Sequence, residues 1–238
     1  MVIFHIFAAN FSDMYHYCFN FNFRLLKRAT VLKHTVFVFL LFAGSVVYSQ
    51  NTAIDFNNQR EGSAPTDFTQ AASSAAQTMD WSVVNDNGKK VVAQRAKNSG
   101  ENFNILVMDN ANFKDGVIKT SIKAVAGNED QGGGLVWRYI DNNNYYIARF
   151  NPLEDNLRFY KVVKGVRTQL VSADYKVKSG EWFDMEIAVN ENKITCSLNG
   201  DKLIETSDDT FPNSGKVGLW TKADAQTYFS HLSISPLK

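Results

Sequence analysis

From Trp81 to the C-terminus, apolar and polar residues alternate in short runs, and the apolar members are mostly β-branched or aromatic. Segments such as "WSVVND", "FNILVMD", "NYYIARF", "LRFYKVV", "KITCSLNG" and "KVGLWTK" each read as a half-buried strand. Turn dipeptides separate them: Asn87-Gly88, Asp115-Gly116, Lys164-Gly165, Ser179-Gly180 and Asn199-Gly200. "LNGDKL" predicts a tight hairpin, because Asn-Gly accepts the positive φ of a type I′ turn. Ala71–Gln77 reads as a short helix or a loop, and the last strand is "TYFSHLSIS". Many strands without βα alternation predict an all-β antiparallel sandwich. The length of "DGVIKTSIKAVA" and "EWFDMEIAVN" suits two large curved sheets. In "WFDMEIAV", Phe183, Met185, Ile187 and Val189 share the core face.

The first fifty residues do not follow this pattern. Lys27, Arg28 and Lys33 precede the apolar run Val36–Val47, and small or polar residues follow it. That order is a signal peptide's, and the run is short for a membrane span. Residues 1–50 are expected to be a leader cleaved near Ser49/Gln50. Residues 51–238 are then one exported domain, periplasmic or secreted. No Cys lies near the cleavage point to carry a lipid, so no stable membrane anchor is expected. "MYHYCFNFNF" is unlike the start of a signal peptide, which suggests true initiation near Val31 or Leu32.

Removing the leader takes four of the 25 basic and one of the 24 acidic residues, leaving 21 against 23. This balance gives no electrostatic footprint for nucleic acid. Cys18 leaves with the leader, so Cys196 has no partner for an internal disulfide and reads as a small buried hydrophobe. Only His231 remains among the histidines, which excludes a Cys/His zinc site. No cofactor is expected.

Gly132-Gly133-Gly134 lacks the Lys-Ser/Thr of a phosphate loop and is expected to let backbones approach closely. Glu181, Asp184 and Glu186 have the wrong spacing for a set of carboxylates on one strand face. Asp130, Asp141 and Glu154 fall in loops, where sites gather. Three neighbouring strands carry the most unusual chemistry. Period two sets Leu135, Trp137, Tyr139, Tyr146, Ala148, Phe150, Leu157 and Phe159 on the core side. Arg138, Tyr145, Arg149, Asn151, Arg158 and Tyr160 then share the opposite face. Aromatic rings can stack on a pyranose, and planar Arg and Asn groups offer paired donors to adjacent hydroxyls. The same residues could equally be cross-strand packing on a solvated sheet.

"DQGGGLVWRYIDNNNYYIARFNPLEDNLRFYKVVKGVRTQL", with "GEWFDMEIAV" and "SGKVGLWTKADAQTYF", resembles the exported concanavalin A-like jelly rolls of the 3-keto-disaccharide hydrolase group, also labelled family 16-like glycoside hydrolases. The resemblance implies carbohydrate on the concave sheet. It adds Asn144, Glu154, Asn156 and Lys161 to the polar set of Arg138, Tyr145, Arg149, Asn151 and Tyr160. Family members place two acidic residues after the aromatic of the last strand. Ser230-His231 stand there in this chain, so calcium is without support. Carbohydrate binding is the leading expectation. A glycoside hydrolase, using Glu154 with Asp130 or Asp141, is the alternative, and a protein-interaction sandwich is a third reading.

Overall fold

A computed structural model describes residues 51–237; the leader and the question of the start lie outside them. The described residues contain strands and no helix, and so none long and apolar enough to cross a membrane. In chain order the strands are β1 (Thr52–Asp55), β2 (Phe68–Ala72), β3 (Trp81–Asp86), β4 (Lys89–Gln94), β5 (Phe103–Met108) and β6 (Gly116–Ala126). They continue with β7 (Gly133–Asp141), β8 (Asn144–Asn151), β9 (Asn156–Val163), β10 (Val166–Asp174) and β11 (Trp182–Asn190). The last five are β12 (Lys193–Leu198), β13 (Asp201–Ser207), β14 (Lys216–Lys222), β15 (Gln226–Phe229) and β16 (His231–Ser235).

Two antiparallel sheets form the sandwich. One has nine strands, in the order β13-β12-β11-β6-β15-β4-β3, with β16 on β6 and β1 on β16. The other has seven, in the order β10-β9-β8-β7-β14-β5-β2. Phe183, Met185, Ile187 and Val189 meet Trp137, Tyr146, Phe150 and Phe159 in the core between the sheets, as period two requires. Trp137 stacks on Phe159 at 5.3 Å, and Phe150 meets Phe183 edge-on at 5.0 Å. Cys196 is fully buried and free, and burial pushes its thiol up. Asn199 and Gly200 both have positive φ in the β12–β13 hairpin, as a type I′ turn demands.

Three elements differ from the sequence pattern. β1 and β2 are strands although neither alternates cleanly, because each lies along an existing sheet edge. Residues 73–77 are bends and turns, the loop of the two readings open for Ala71–Gln77, whose first two residues belong to β2. "TYFSHLSIS" breaks at Ser230 into β15 and β16, both antiparallel to β6.

The glycine run behaves as a close approach. A Cβ on Gly134 would stand 1.8 Å from the Ala148 carbonyl oxygen, and one on Gly133 2.6 Å from that of Trp220. No side chain fits there, which places β7 between β8 and β14 at this point.

Candidate functional site

The seven-stranded sheet curls strongly. β10 and β5 are five strands apart, so on a flat sheet they would lie about 24 Å from each other. Yet the Arg167 guanidinium of β10 is 5.0 Å from the Phe103 ring of β5. It is also 4.7 Å from the Tyr160 ring and 6.0 Å from that of Trp220. The two flanks of the sheet therefore approach each other across the face turned away from the core, making it the concave one. Val136, Tyr139, Tyr145, Ile147, Tyr160 and Trp220 form a second apolar cluster on that face, all buried. The tip of the β7–β8 hairpin meets the end of β2, where Asn142 Nδ2 donates to the Ala72 carbonyl. Asn142, Val162, Arg167, Phe103, Glu101 and Ser73 help line a cavity of about 420 Å³ beside this cluster.

A belt of charge lies at the edge of the apolar floor. Arg149 is 3% exposed. Its Nη1 donates to Asn156 Oδ1 at 2.8 Å, and its Nη2 to Glu154 Oε2 at 2.6 Å and the Tyr160 hydroxyl at 3.4 Å. Glu154 also pairs with Arg158 at 3.0 Å. Across the groove, Glu101 joins Arg167 and Lys222, each at 3.0 Å. Lys222 lies 3.8 Å from Asp130, whose Oδ1 accepts from Asn151 Nδ2 at 3.2 Å. The loop carrying Asp130 is pinned from below, because the Asp224 carboxylate accepts the backbone N–H groups of Asn128, Glu129 and Asp130.

The two carboxylates nearest Arg149 are pulled in opposite directions. Burial pushes Asp130 up to about 6, against the lowering charges of Arg149 and Lys222. Glu154 is half exposed, and burial raises its pKa less than Arg149 and Arg158 lower it, so the net shift is downward. Groups in one site with diverging protonation are the usual signature of an acid/base assignment.

Of the sequence-predicted site residues, Arg149, Tyr160, Asn151, Asn156, Glu154 and Asp130 come together here. Four do not. Arg138 was placed on this face by period two, but it has φ +47 and sits at a β-bulge that shifts the register of both neighbouring strands. The bulge moves Tyr139 onto the concave face and turns Arg138 away. Arg138 is 2% exposed and donates to the Lys114, Glu191 and Phe211 carbonyls, with Asp115 at 3.4 Å. Lys161 points to the other side as well, to Asp208 at 2.9 Å and Thr210 at 2.8 Å. Asn144 and Asp141 close the β7–β8 turn: Asp141 accepts from the Asn143 N–H and the Asn144 side chain. β8 runs from Asn144 to Asn151, so Asp141 lies about 20 Å from the Glu154 end. Paired glycosidase carboxylates are at most ~9.5 Å apart, so Asp141 cannot partner Glu154. Tyr145 faces the groove side but is wholly covered against Tyr139, and its hydroxyl is driven up by burial.

Arg167, Lys222 and Glu101 were missed. They stand on β10, on β14 and in the loop before β5, and nothing local in sequence joins them to Arg149. One signal was available: Arg167, like Arg149, is a lone arginine inside a strand run, "VRTQLVS". Glu181, Asp184 and Glu186 are away from the groove, with Asp184 accepting from Ser121 and Glu186 paired with Lys119 on the nine-stranded sheet. Ser230 Oγ and His231 Nδ1 are 2.8 Å apart, but Ser230 is buried where β15 meets β16. Among the described residues no group of three or more His, Cys, Asp or Glu side chains is placed to hold a metal.

Residues 55–235 match the model of the 3-keto-alpha-glucoside-1,2-lyase-like domain, and the chain belongs to that family. No curated protein matches it in sequence. Among solved structures it is similar to the carbohydrate-binding module CBM66 from Bacillus subtilis. That match has 18% identity and a TM-score of 0.58, covering 70% of this chain and 95% of the module. It is also similar to a Bacteroides ovatus mixed-linkage glucan GH16 protein in complex with its G4G4G3G product (14%, TM-score 0.53, 77% and 99% covered). A Bacillus licheniformis beta-glucanase matches at 9%, TM-score 0.54, with 79% and 98% covered. At these identities the likeness is one of fold: a jelly roll shared by carbohydrate-binding modules and family 16 glycoside hydrolases.

Proposed function

We propose that the protein is exported and binds a saccharide at the concave edge of its seven-stranded sheet, over Arg149, Arg158, Tyr160 and Arg167. The observation that carries this is Arg149 itself. It is buried, held in one orientation by Asn156, Glu154 and Tyr160, and set beside an aromatic floor. Fixed planar donors beside ring faces are what a pyranose needs. The family's description and the carbohydrate-binding module among its structural neighbours support a sugar over a protein partner. Glycan-array screening of the protein beside Arg149→Ala tests it. Binding to a defined saccharide class is expected, reduced at least about tenfold in the variant, the loss of one charged hydrogen bond. An array with no hits, or hits that Arg149→Ala leaves unchanged, would sink the proposal.

A second reading, bond cleavage, is favoured by the opposite shifts of Asp130 and Glu154. In a 3-keto-glucoside the ketone acidifies the C2 hydrogen. Elimination breaks C2–H and C1–O and forms the C1=C2 bond, with the electron pair leaving on the glycosidic oxygen. Asp130, pushed to about 6, suits the base. Glu154, held ionised by two arginines, suits orientation of those arginines rather than proton transfer. Product release from a 3-keto-glucoside that disappears in Asp130→Asn supports this reading; undiminished release in that variant removes Asp130 from it.

A further inference from the structure

The cations of the concave edge are built differently from the carboxylates that neutralise them. Arg149 is 3% exposed, and the Arg167 and Lys222 side chains are 16% exposed. Glu154 and Glu101, which cover them, are 41% and 65% exposed. Buried cations are fixed; rim glutamates can rotate into water at little cost. The donors are also in surplus. Arg149 Nε, Arg158 Nε and Arg167 Nη1 are buried without a hydrogen-bond partner. Four cations face three carboxylates, Glu101, Glu154 and Asp130, and Asp130 is only 3.8 Å from one of them. An unpaired buried guanidinium N–H is costly, so a site that retains three is arranged for acceptors beyond its own.

We infer that the saccharide taken here is acidic, its carboxylate or sulfate replacing the rim glutamate Glu101 or Glu154 on the buried cations. The guanidinium fork fits either group in a bidentate manner, and the glutamates already occupy the position such a group would take. Neutral hydroxyls would leave the charge surplus unanswered. This rests on the saccharide reading above and narrows it to one ligand chemistry.

Calorimetric titration of the protein separates the outcomes. The probes are trigalacturonate and its carboxyl-reduced counterpart, a sulfated disaccharide and its desulfated form, and inorganic sulfate alone. At least one acidic member is expected to bind about tenfold more tightly than its neutral twin, the worth of one charge-assisted hydrogen bond. Whichever acidic probe shows the gap identifies the group as carboxylate or sulfate. Because Arg167→Gln could loosen the groove, Glu101→Gln is the decisive variant. It removes an exposed competing carboxylate and is expected to widen the preference for the acidic probe over its neutral twin about threefold; a preference that narrows would count against the inference. Acidic and neutral twins binding equally would overturn the inference while the saccharide reading stood. So would inorganic sulfate binding as tightly as the acidic sugars. Failure of every saccharide, with the glycan array also blank, would bring down both.

Discussion

Arg138 and Arg149 are both buried arginines, on adjacent strands of one sheet, within one motif, and the fold uses them in opposite ways. Arg138 sits at a bulge with its guanidinium filled by main-chain carbonyls from three separate segments, at Lys114, Glu191 and Phe211. Carbonyls cannot leave, so Arg138 is a clamp between loops. Arg149 is held by side chains, one of which, Glu154, lies on a rim that reaches solvent, and its Nε has no partner. A buried arginine therefore signals structure or function according to whether its partners can be exchanged.

The comparison breaks most sharply at Arg138. Arg138→Ala leaves the three carbonyls unanswered at a strained backbone position, and a loss of about 3–5 kcal/mol in denaturant unfolding is expected. A loss near that seen for Arg149→Ala would mean the two arginines are not different in kind. Asp130→Asn tests the site's own cost. Asp130 is raised from 3.8 to about 6. Its contribution to stability is thus full below pH 3.8 and lost as pH rises through 6. The variant should be more stable than the parent by about 2–3 kcal/mol at pH 8, and equal to it near pH 3. Thermal unfolding across that range checks the sign, and a variant less stable at pH 8 would contradict it. Arg149→Ala leaves Glu154 free to turn into water at the rim, so only about 1–2 kcal/mol of stability should go while saccharide binding collapses. Glu154→Gln should have the least effect on folding, below about 1 kcal/mol, since its own carboxylate is exposed at the rim and the amide oxygen can still accept from Arg149. Its effect belongs in ligand affinity, which titration reads.

The sandwich was legible because strand parity and turn chemistry are local. "WFDMEIAV" places its core face correctly, and "LNGDKL" turns as Asn-Gly demands. Parity also put Arg149, Asn151 and Tyr160 on one face. It failed at Arg138, where one extra residue in the strand reverses everything beyond it, so that Tyr139 and Arg138 exchanged sides. It had no means of finding Arg167, Lys222 and Glu101, which meet Arg149's neighbourhood only because the sheet curls.

The sequence by itself determined most of the strands and which faces of β8 and β9 look inward, since each depends on neighbours a few residues apart, and its motifs carried the resemblance to the family. The tertiary structure alone decided that Tyr145 is covered, that Asp141 is out of reach of Glu154, and that Asp130 is buried against Lys222. Those outcomes depend on curvature and on loops meeting across about a hundred residues, such as Glu101 with Lys222. Burial and charge are set by whatever the fold brings close, so the pKa shifts that distinguish Asp130 from Glu154 could arise only there.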